Sequence, residues 1–275
     1  MKRKSAASYV VLILLSALFI FPILIVVLNS FKSKFNIVGT PFMLPNKETF
    51  VGFQNYIDGI KMSGFLNSFL LSLFITVASV AVIILFTSMT AWYIVRVKTR
   101  ISKMFYYLFV FSMIVPFQMV MYTMTYVASN LNLNNPLGII VIYLGFGSGL
   151  SVFMFTGFVK AVPVDIEEAA MIDGCNPIKT FFYIVLPVLK PTVITVAILN
   201  AMWILNDYLL PYLILGTEYK TIPVAIQISM QGAYGSVNWG GFMAMLVLAI
   251  IPIIIFYLFS QRYIIKGVIA GAVKG

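Results

Sequence analysis

Six stretches of the sequence are apolar over about 20 residues each, the length that an α-helix needs to cross a hydrocarbon core of roughly 30 Å. They cover approximately residues 9–29, 67–93, 104–127, 137–159, 191–211 and 242–260. The third and fourth stretches are separated only by the uncharged break SNLNLNNP, residues 129–136. The sequence therefore predicts an all-α, multi-pass integral protein of the cell (cytoplasmic) membrane with six transmembrane helices.

The composition agrees with a protein whose main solvent is lipid. Charged residues make up 9% of the chain and hydrophobic residues 61%, whereas soluble domains carry roughly 25% charged residues. The net charge of +10 does not indicate nucleic-acid binding, because the basic residues lie between apolar stretches instead of clustering. With no histidine and Cys175 as the single cysteine, an intrachain disulfide is impossible, and a metal site or a soluble enzyme is disfavoured.

The distribution of basic residues predicts the orientation. The N-terminal MKRK precedes an apolar stretch that is longer than a signal-peptide core and lacks a clear cleavage site, which favours an uncleaved first helix. If this end is cytoplasmic, 13 of the 18 Lys and Arg residues lie on the cytoplasmic side. Cytoplasmic loops are normally enriched in these residues. We therefore expect both termini to be cytoplasmic.

The same pattern divides the chain into four parts. They are an N-terminal transmembrane helix (1–30), an extracytoplasmic loop (31–66), a membrane core (67–260) with a cytoplasmic loop at 163–187, and a C-terminal tail (261–275). Gly, Pro and Asn punctuate the extracytoplasmic loop, which is typical of ordered loops. A short helix is expected there before the second span.

Half of the acidic residues of the chain lie in the cytoplasmic loop. The chain has 8 Asp and Glu residues, and this loop contains Asp165, Glu167, Glu168 and Asp173. Asp165 and Glu168 have the spacing of a capping box, which predicts a helix beginning at Asp165. Gly174 is expected to end that helix with a positive φ. Asn176 and Pro177 then indicate a second helix that runs to about Pro187.

The residues between these acids indicate what the first helix contacts. Ala169 and Ala170 permit close approach of another surface, and Met171 and Ile172 are apolar. A short helix with acidic edges and an apolar face suits a groove on a protein partner. A well-capped loop whose charges are merely solvated is the alternative.

The loop also resembles a known motif. Glu168-Ala169-Ala170, three residues, Gly174, nine residues and then Ile184-x-Leu186-Pro187 are similar to the EAA loop of ATP-binding-cassette importer permeases. The resemblance implies the type I permease fold and a coupling helix that sits in a cleft of an ATPase subunit. It assigns ATPase coupling to this set: Glu167, Glu168, Ala169, Ala170, Asp173 and Gly174.

The C-terminal part resembles a narrower group. Gln261-Arg262-Tyr263, Gly267, residues 270–275, TIPVAIQ (221–227) and YGSVNWGGFMA (234–244) are similar to the smaller permease subunit of maltose-type carbohydrate importers. The resemblance implies a tail that reaches the ATPase dimer interface through Gln261, Arg262, Lys274 and Gly275. We expect the sixth span to end near Ser260, because Gln261 and Arg262 are the first polar residues after it. Because the tail contains no acid and has a glycine at every fourth position, it should order only against the ATPase.

One polar pair lies near the outer end of the fifth stretch. Asn206 and Asp207 follow the apolar residues of WILNDYLLPYLIL, 203–215. A carboxylate at membrane depth is a functional hypothesis by default. The pair is predicted either to contact the substrate path or to have an interfacial or packing role.

These features together predict a permease subunit of an ATP-driven importer of sugars or oligosaccharides. The resemblance implies a second homologous permease, two ATPase subunits and an external solute-binding protein as partners. ATP and Mg would bind to the ATPases, because this chain has no GxxxxGK[ST] motif; it is predicted to bind no cofactor and to be no enzyme. Glycerol-3-phosphate or amino-acid permeases, an ion-coupled secondary transporter or channel, and a membrane scaffold are the alternatives.

Overall fold

The computed structural model describes residues 2–230 and 237–272, and the side chains of residues 8–228, 230 and 237–263. These residues form helices, joined by turns and one isolated antiparallel bridge between Lys32 and Phe50. The helices are α1 Lys2–Ser30, α2 Lys34–Gly39, α3 Gln54–Ser63, α4 Phe65–Arg96, α5 Arg100–Ser112, α6 Phe117–Asn130, α7 Pro136–Val159, α8 Val164–Ile172, α9 Pro177–Thr180, a π-helical turn Phe181–Val185, α10 Leu186–Val188, α11 Lys190–Asn206, α12 Leu209–Leu215, α13 Ile222–Ser229 and α14 Trp239–Ala272.

Four helices in the described part of the chain are long and apolar enough to cross a membrane by themselves. Their apolar parts are Ser8–Ser30, Phe65–Arg96, Pro136–Val159 and Trp239–Tyr263. Two further spans are present if each of two bent helix pairs crosses as one unit: Arg100–Ser112 with Phe117–Asn130, and Pro177–Val188 with Lys190–Asn206. The prediction of an all-α, multi-pass membrane protein is confirmed.

The third apolar stretch, however, is not one helix. It forms α5 and α6, which meet at an angle of 108°. Pro116 has an extended backbone and stands at the N-cap of α6. Proline has no N–H to donate and disfavours the helical conformation of the residue before it. The apolar composition continues through this break, so composition alone predicted one helix where there are two.

The fifth stretch also differs from the prediction of one helix over 191–211. The helix α11 ends at Asn206, and Asp207 takes an extended conformation. The Asp207 Oδ1 atom accepts hydrogen bonds from the backbone N–H groups of Leu209 (3.1 Å) and Leu210 (3.3 Å). A short-chain carboxylate that satisfies backbone donors in this way favours a helix start. The chain therefore ends one helix here and begins α12.

The described residues divide into two compact units. The first consists of the chain up to Phe69 together with Ile222–Ile254, and its buried core is formed by Ile222, Ile226, Ala244, Met245 and Ala249. It contains the predicted extracytoplasmic segment, where α3 ends at Gly64 with φ 62° directly before α4. The expected short helix before the second span is thus present.

The first unit contains a buried lysine that the sequence pattern did not indicate. Lys32 is fully buried, and its Nζ donates a hydrogen bond of 2.7 Å to the carbonyl oxygen of Thr40. The Asn55 side-chain amide donates to the carbonyl oxygens of Ser30 and Lys32. Burial lowers the pKa of the Lys32 amine, because it disfavours the charged form. These bonds order the segment that follows α1.

The second unit comprises Leu70–Thr221 and the chain from Ile255 onward. Its two cores lie along α4, α7 and α11: one contains Ile75, Ile83 and Tyr143, and the other contains Phe155 and Phe181. Glycine allows close helix contact here. A Cβ atom at residue 147 would lie 2.6 Å from the Cδ1 of Ile83. Small residues at such positions are typical of helix packing in membranes.

The C-terminal segment is helical beyond the predicted end of the sixth span. The helix α14 continues past Ser260 to Ala272, so the backbone of 261–272 is helical without an ATPase, contrary to the expectation that the tail orders only against that partner. The end of the span near Ser260 stays a prediction. No proline follows Ser260 before Ala272, and a glycine within a helix, such as Gly267, costs only about 1 kcal/mol relative to alanine. Lys274 and Gly275 lie outside the described residues.

Candidate functional site

The predicted cytoplasmic loop forms the short helix α8, but its start differs from the prediction. The helix begins at Val164 with Pro163 at the N-cap, and no side chain caps it there. The predicted capping box of Asp165 and Glu168 is therefore wrong. Pro163 sets the boundary instead, because it takes an extended conformation between the turn that follows α7 and the first residue of α8, and its ring fixes φ. Asp165 and Glu167 lie in the first turn, where the helix dipole favours negative charge.

The end of α8 confirms the role expected for glycine. Gly174 has φ +87°, a conformation that residues with a Cβ rarely adopt. The Cys175 N–H donates to the carbonyl oxygen of Ala170 (2.9 Å), and the Gly174 N–H donates to that of Met171 (3.0 Å). These two bonds form the Schellman pattern that closes many helices. The chain therefore reverses sharply at residues 173–175.

The second helix of the loop also begins where the sequence predicts. The Asn176 Oδ1 atom accepts a hydrogen bond of 2.9 Å from the Lys179 N–H, and Pro177 occupies the first turn. The helical segment then continues through the π-helical turn to Val188, one residue beyond the predicted end. The helix–turn–helix organisation of this loop is thus as expected.

Glu167 does not face outward as the other acidic residues of the loop do. Its exposed fraction is 3%, and its two carboxylate oxygens are held by side chains of α4. The Arg96 Nη2 atom lies 2.7 Å from Oε1, the Arg96 Nε donates to both oxygens, and the Trp92 indole N–H donates to Oε2 at 2.9 Å. The carboxylate of Glu167 is therefore bound within the chain and, unlike the other acids of the loop, is not exposed for the ATPase contact that the resemblance assigns to it.

This arrangement joins α8 to the end of α4. A bidentate arginine–carboxylate pair is stronger and more directional than a single hydrogen bond between neutral groups. The other guanidinium contact is the Arg96 Nη2 donating to the Val162 carbonyl oxygen at 2.9 Å, just before α8 begins. Trp92 also packs against Phe181, with ring centroids 5.6 Å apart. The inner side of α8 is thus fixed by the protein itself.

Sequence reasoning missed Arg96 and Trp92 as partners of this site. Arg96 and Glu167 are separated by 71 positions, and no local pattern relates them. The sequence shows only that Arg96 follows the apolar stretch 67–93 and that Glu167 follows the apolar stretch 137–159. These positions show a shared membrane side but do not identify a pair.

The outer side of α8 is free in this chain. Asp165, Glu168, Ala169 and Ile172 are exposed, and they share one helix face because they are three or four positions apart. The exposed fraction of Ile172, the last residue of α8, is 87%, which is high for a large apolar side chain. Ala170 is buried on the opposite side, whereas Asp173 and Gly174 are exposed at the turn. The predicted acidic and apolar surface is present.

The second candidate, the pair Asn206 and Asp207, is arranged differently. The Asp207 Oδ2 atom accepts a hydrogen bond of 3.1 Å from the Tyr143 hydroxyl, and the other oxygen binds backbone N–H groups, as described above. Asn206 is exposed, and its amide donates to the Met202 carbonyl oxygen at 2.7 Å. The two side chains therefore have different hydrogen-bond partners. Their contact with a substrate path stays a prediction.

The described tail residues make local contacts. The Gln261 amide donates to the Leu258 carbonyl oxygen at 3.2 Å, and Arg262 donates to the Tyr263 hydroxyl at 3.0 Å. Both residues lie on α14. The predicted contact of Gln261 and Arg262 with an ATPase remains a prediction.

These observations define a multi-pass helical membrane protein that exposes a short, rigidly held helix beside its spans. Residues 83–270 match the family model described as "Binding-protein-dependent transport system inner membrane component". The match covers more than half of the chain, and it includes α8, one core of the second unit and most of the other. The chain belongs to this family of transport permeases, which supports an importer component over an ion-coupled carrier.

Two relatives extend the similarity over nearly the whole chain. The "Probable starch degradation products transport system permease protein AmyC" of Thermoanaerobacterium thermosulfurigenes is 38% identical over 95% of this chain and 94% of its own length. The "Multiple sugar-binding transport system permease protein MsmG" of Streptococcus mutans is 36% identical over 97% of this chain and 96% of its own. The first unit is therefore also shared with them.

A solved structure shows the same fold. The crystal structure of a bacterial ABC transporter involved in the import of the acidic polysaccharide alginate contains a chain with a TM-score of 0.81 and 21% sequence identity. The match covers 95% of this chain and 96% of that one. The fold is therefore that of a permease chain of such an importer.

Proposed function

We propose that this permease forms half of the translocation pathway of an ATP-driven importer for sugars or oligosaccharides. The support for this substrate class is that the two relatives described above have names that refer to starch degradation products or multiple sugars. The other half of the pathway would be a second, homologous permease. An external solute-binding protein would deliver the sugar.

The observation that carries the coupling proposal is the two-sided environment of α8. Its inner side is fixed to α4 through Glu167 and Arg96, and its outer side exposes Ile172 between acidic residues. A helix held on one side can transmit a displacement to the helices to which it is bound. We propose that the outer side binds a groove of an ATPase subunit, with Glu168, Ala169, Asp173 and Gly174 at the contact.

ATP hydrolysis is assigned to the partners in this proposal. This sequence lacks the GxxxxGK[ST] motif that cradles phosphates, so two ATPase subunits would bind ATP and Mg. The tail residues Gln261, Arg262, Lys274 and Gly275 would form a second contact with these subunits.

A matched pair of variants tests the docking surface. Ile172→Glu should reduce the co-purification of the ATPase with the permease by at least about tenfold, because it replaces the large apolar side chain of the contact with a charge. Val38→Glu is the control: Val38 is a similarly exposed apolar residue on α2, outside the proposed contact. If both variants bind the ATPase as the unchanged protein does, α8 is not the docking site.

Cys175 tests the orientation that this proposal needs. It is the only thiol in the chain, is partly exposed and directly follows α8. In intact cells it should resist a membrane-impermeant maleimide and should react once the membrane is opened. Labelling in intact cells would place α8 on the extracytoplasmic side of the membrane and overturn the coupling proposal.

The substrate class is tested separately. The cognate external binding protein should bind a sugar or oligosaccharide in a calorimetric titration, and the reconstituted importer should accumulate the same sugar only with ATP. Binding of glycerol-3-phosphate or of an amino acid instead would change the substrate class. It would leave the family assignment intact.

A further inference from the structure

A large cavity lies beside the inner side of α8. Its volume is about 1660 Å³, which exceeds the roughly 300–1,000 Å³ of typical small-molecule sites. Its walls come from the end of α4, the first turns of α5, the end of α7 and the beginning of α8. All of these elements belong to the second compact unit.

The charges that line the cavity do not balance. Arg96 and Glu167 neutralise each other across their ion pair. Three exposed lysines remain, Lys98, Lys103 and Lys160, and only Glu168 opposes them. Among the described side chains, none of these lysines forms an ion pair. The Lys160 ammonium instead lies 5.7 Å from the centre of the Tyr106 ring. The cavity therefore has an uncompensated positive charge.

The remaining wall is apolar and aromatic. Tyr93, Phe105 and Tyr107 line the cavity, and all three are at least 45% exposed. Thr156 also lines it, and its buried hydroxyl has no hydrogen-bond partner among the described residues. Tyrosines are typical of the level where a membrane meets water, and α4 and α7 are both long enough to cross the membrane. Since their ends form the wall, the cavity lies at one membrane surface.

We propose that this cavity binds an anionic phospholipid of the adjacent leaflet. The phosphate would lie among Lys98, Lys103 and Lys160, and the acyl chains would lie along the aromatic wall. Basic pockets between membrane helices bind anionic headgroups in this manner. A soluble anion would bind the lysines but would leave the aromatic wall exposed to water. A cavity that has both basic residues and an apolar wall therefore favours a ligand with a charged headgroup and an apolar tail.

The position of the cavity gives this lipid a structural role. Glu167, Glu168 and Met171 of α8 line it, so the lipid would lie along the edge of α8 between the Glu167–Arg96 pair and the outer side, and would leave Ile172 free. The proposal requires only that the chain lies in a membrane. It does not depend on the substrate or on the ATPase contact.

The first experiment uses the unchanged, full-length chain. Native mass spectrometry is performed in detergent with equal amounts of phosphatidylglycerol and phosphatidylcholine that have identical acyl chains. We expect phosphatidylglycerol to be retained in at least about fivefold excess, since each lysine near the phosphate favours the anionic headgroup. Equal retention of the two lipids would overturn the proposal.

A matched pair of triple variants then locates the site. The cavity variant K98Q/K103Q/K160Q should lower the roughly fivefold preference for phosphatidylglycerol to nearly equal retention of the two lipids. The control K34Q/K47Q/K61Q removes three exposed lysines outside the cavity and should change the preference by less than about twofold. If both variants lose the preference equally, the attraction is a general effect of net charge and the cavity is not the site.

A competition experiment separates the headgroup from the whole lipid and needs no variant. Glycerol phosphate should not displace bound phosphatidylglycerol, whereas a short-chain phosphatidylglycerol should displace it. Displacement by glycerol phosphate at equal concentration would mean that the lysines form a soluble-anion site and would overturn the lipid assignment. If addition of the ATPase subunit releases the lipid completely, the cavity is a protein contact in the assembled transporter, which would also overturn it.

Discussion

The carboxylates of Glu167, in the first turn of α8, and of Asp207, between α11 and α12, have very different hydrogen-bond partners. Glu167 is buried and binds a charged guanidinium and an indole on another helix. Asp207 binds only neutral donors, two of which are backbone N–H groups within three positions of it. Glu167 therefore fixes the position of one element against another, whereas Asp207 mainly shapes its own turn. Removing each group should have correspondingly different effects.

The largest effect is expected at Glu167. Glu167→Ala leaves the Arg96 guanidinium unpaired, and Arg96 is itself only 19% exposed. Breaking a buried pair typically costs about 3–5 kcal/mol, and partial exposure of Arg96 reduces this to about 2–4 kcal/mol. The free energy of unfolding in mixed detergent should fall by that amount.

Glu168→Ala is the matched control for this experiment. Glu168 is the neighbouring glutamate and is exposed, so the free energy of unfolding should change by less than about 0.5 kcal/mol. A double-mutant cycle of Arg96→Ala and Glu167→Ala should give a coupling energy above about 1 kcal/mol. Equal losses for Glu167→Ala and Glu168→Ala would contradict the distinction between the two sides of α8.

The next effect concerns the turn after α8. Gly174→Val introduces a β-branched residue at φ +87°, which should cost about 1–3 kcal/mol of backbone strain. No atom lies within 4 Å of the added Cβ, so the effect is conformational and not steric. We expect membrane insertion to be preserved while ATP hydrolysis is uncoupled from transport in vesicles. Gly157→Val serves as the control because it has a similarly open site with an ordinary helical φ. Normal transport by Gly174→Val would show that the turn geometry is not needed.

A smaller effect is expected at Asp207. Tyr143→Phe removes the hydroxyl that binds Oδ2 and leaves both backbone donors in place. The net contribution of such a hydrogen bond is about 0.5–1.5 kcal/mol, and somewhat more with a charged acceptor. The thermal midpoint in detergent should fall by only a few degrees. A loss as large as that of Glu167→Ala would mean that the Tyr143–Asp207 bond joins α7 to this break as strongly as the ion pair joins α8 to α4, and would remove the contrast.

Particular residues show how far the sequence predicted this site. Gly174, Asn176 and Pro177 act locally, and their turn and cap geometries are as predicted because they depend on a few neighbouring atoms. Asp165 did not cap α8, because Pro163 starts the helix earlier. Glu167 looked like its neighbour Glu168 in the sequence. Only its partner on α4 distinguishes the two.

The sequence by itself determined the membrane class, the helical content and the helix–turn–helix of the acidic loop. These follow from composition and from local backbone preferences, which act over a few residues. The tertiary structure decided the bends after α5 and before α11, the burial of Glu167 on Arg96 and the cavity lined by Lys98, Lys103 and Lys160. Each of these depends on contacts between residues far apart in the chain, and the free energy of such contacts depends on geometry that a linear pattern does not contain.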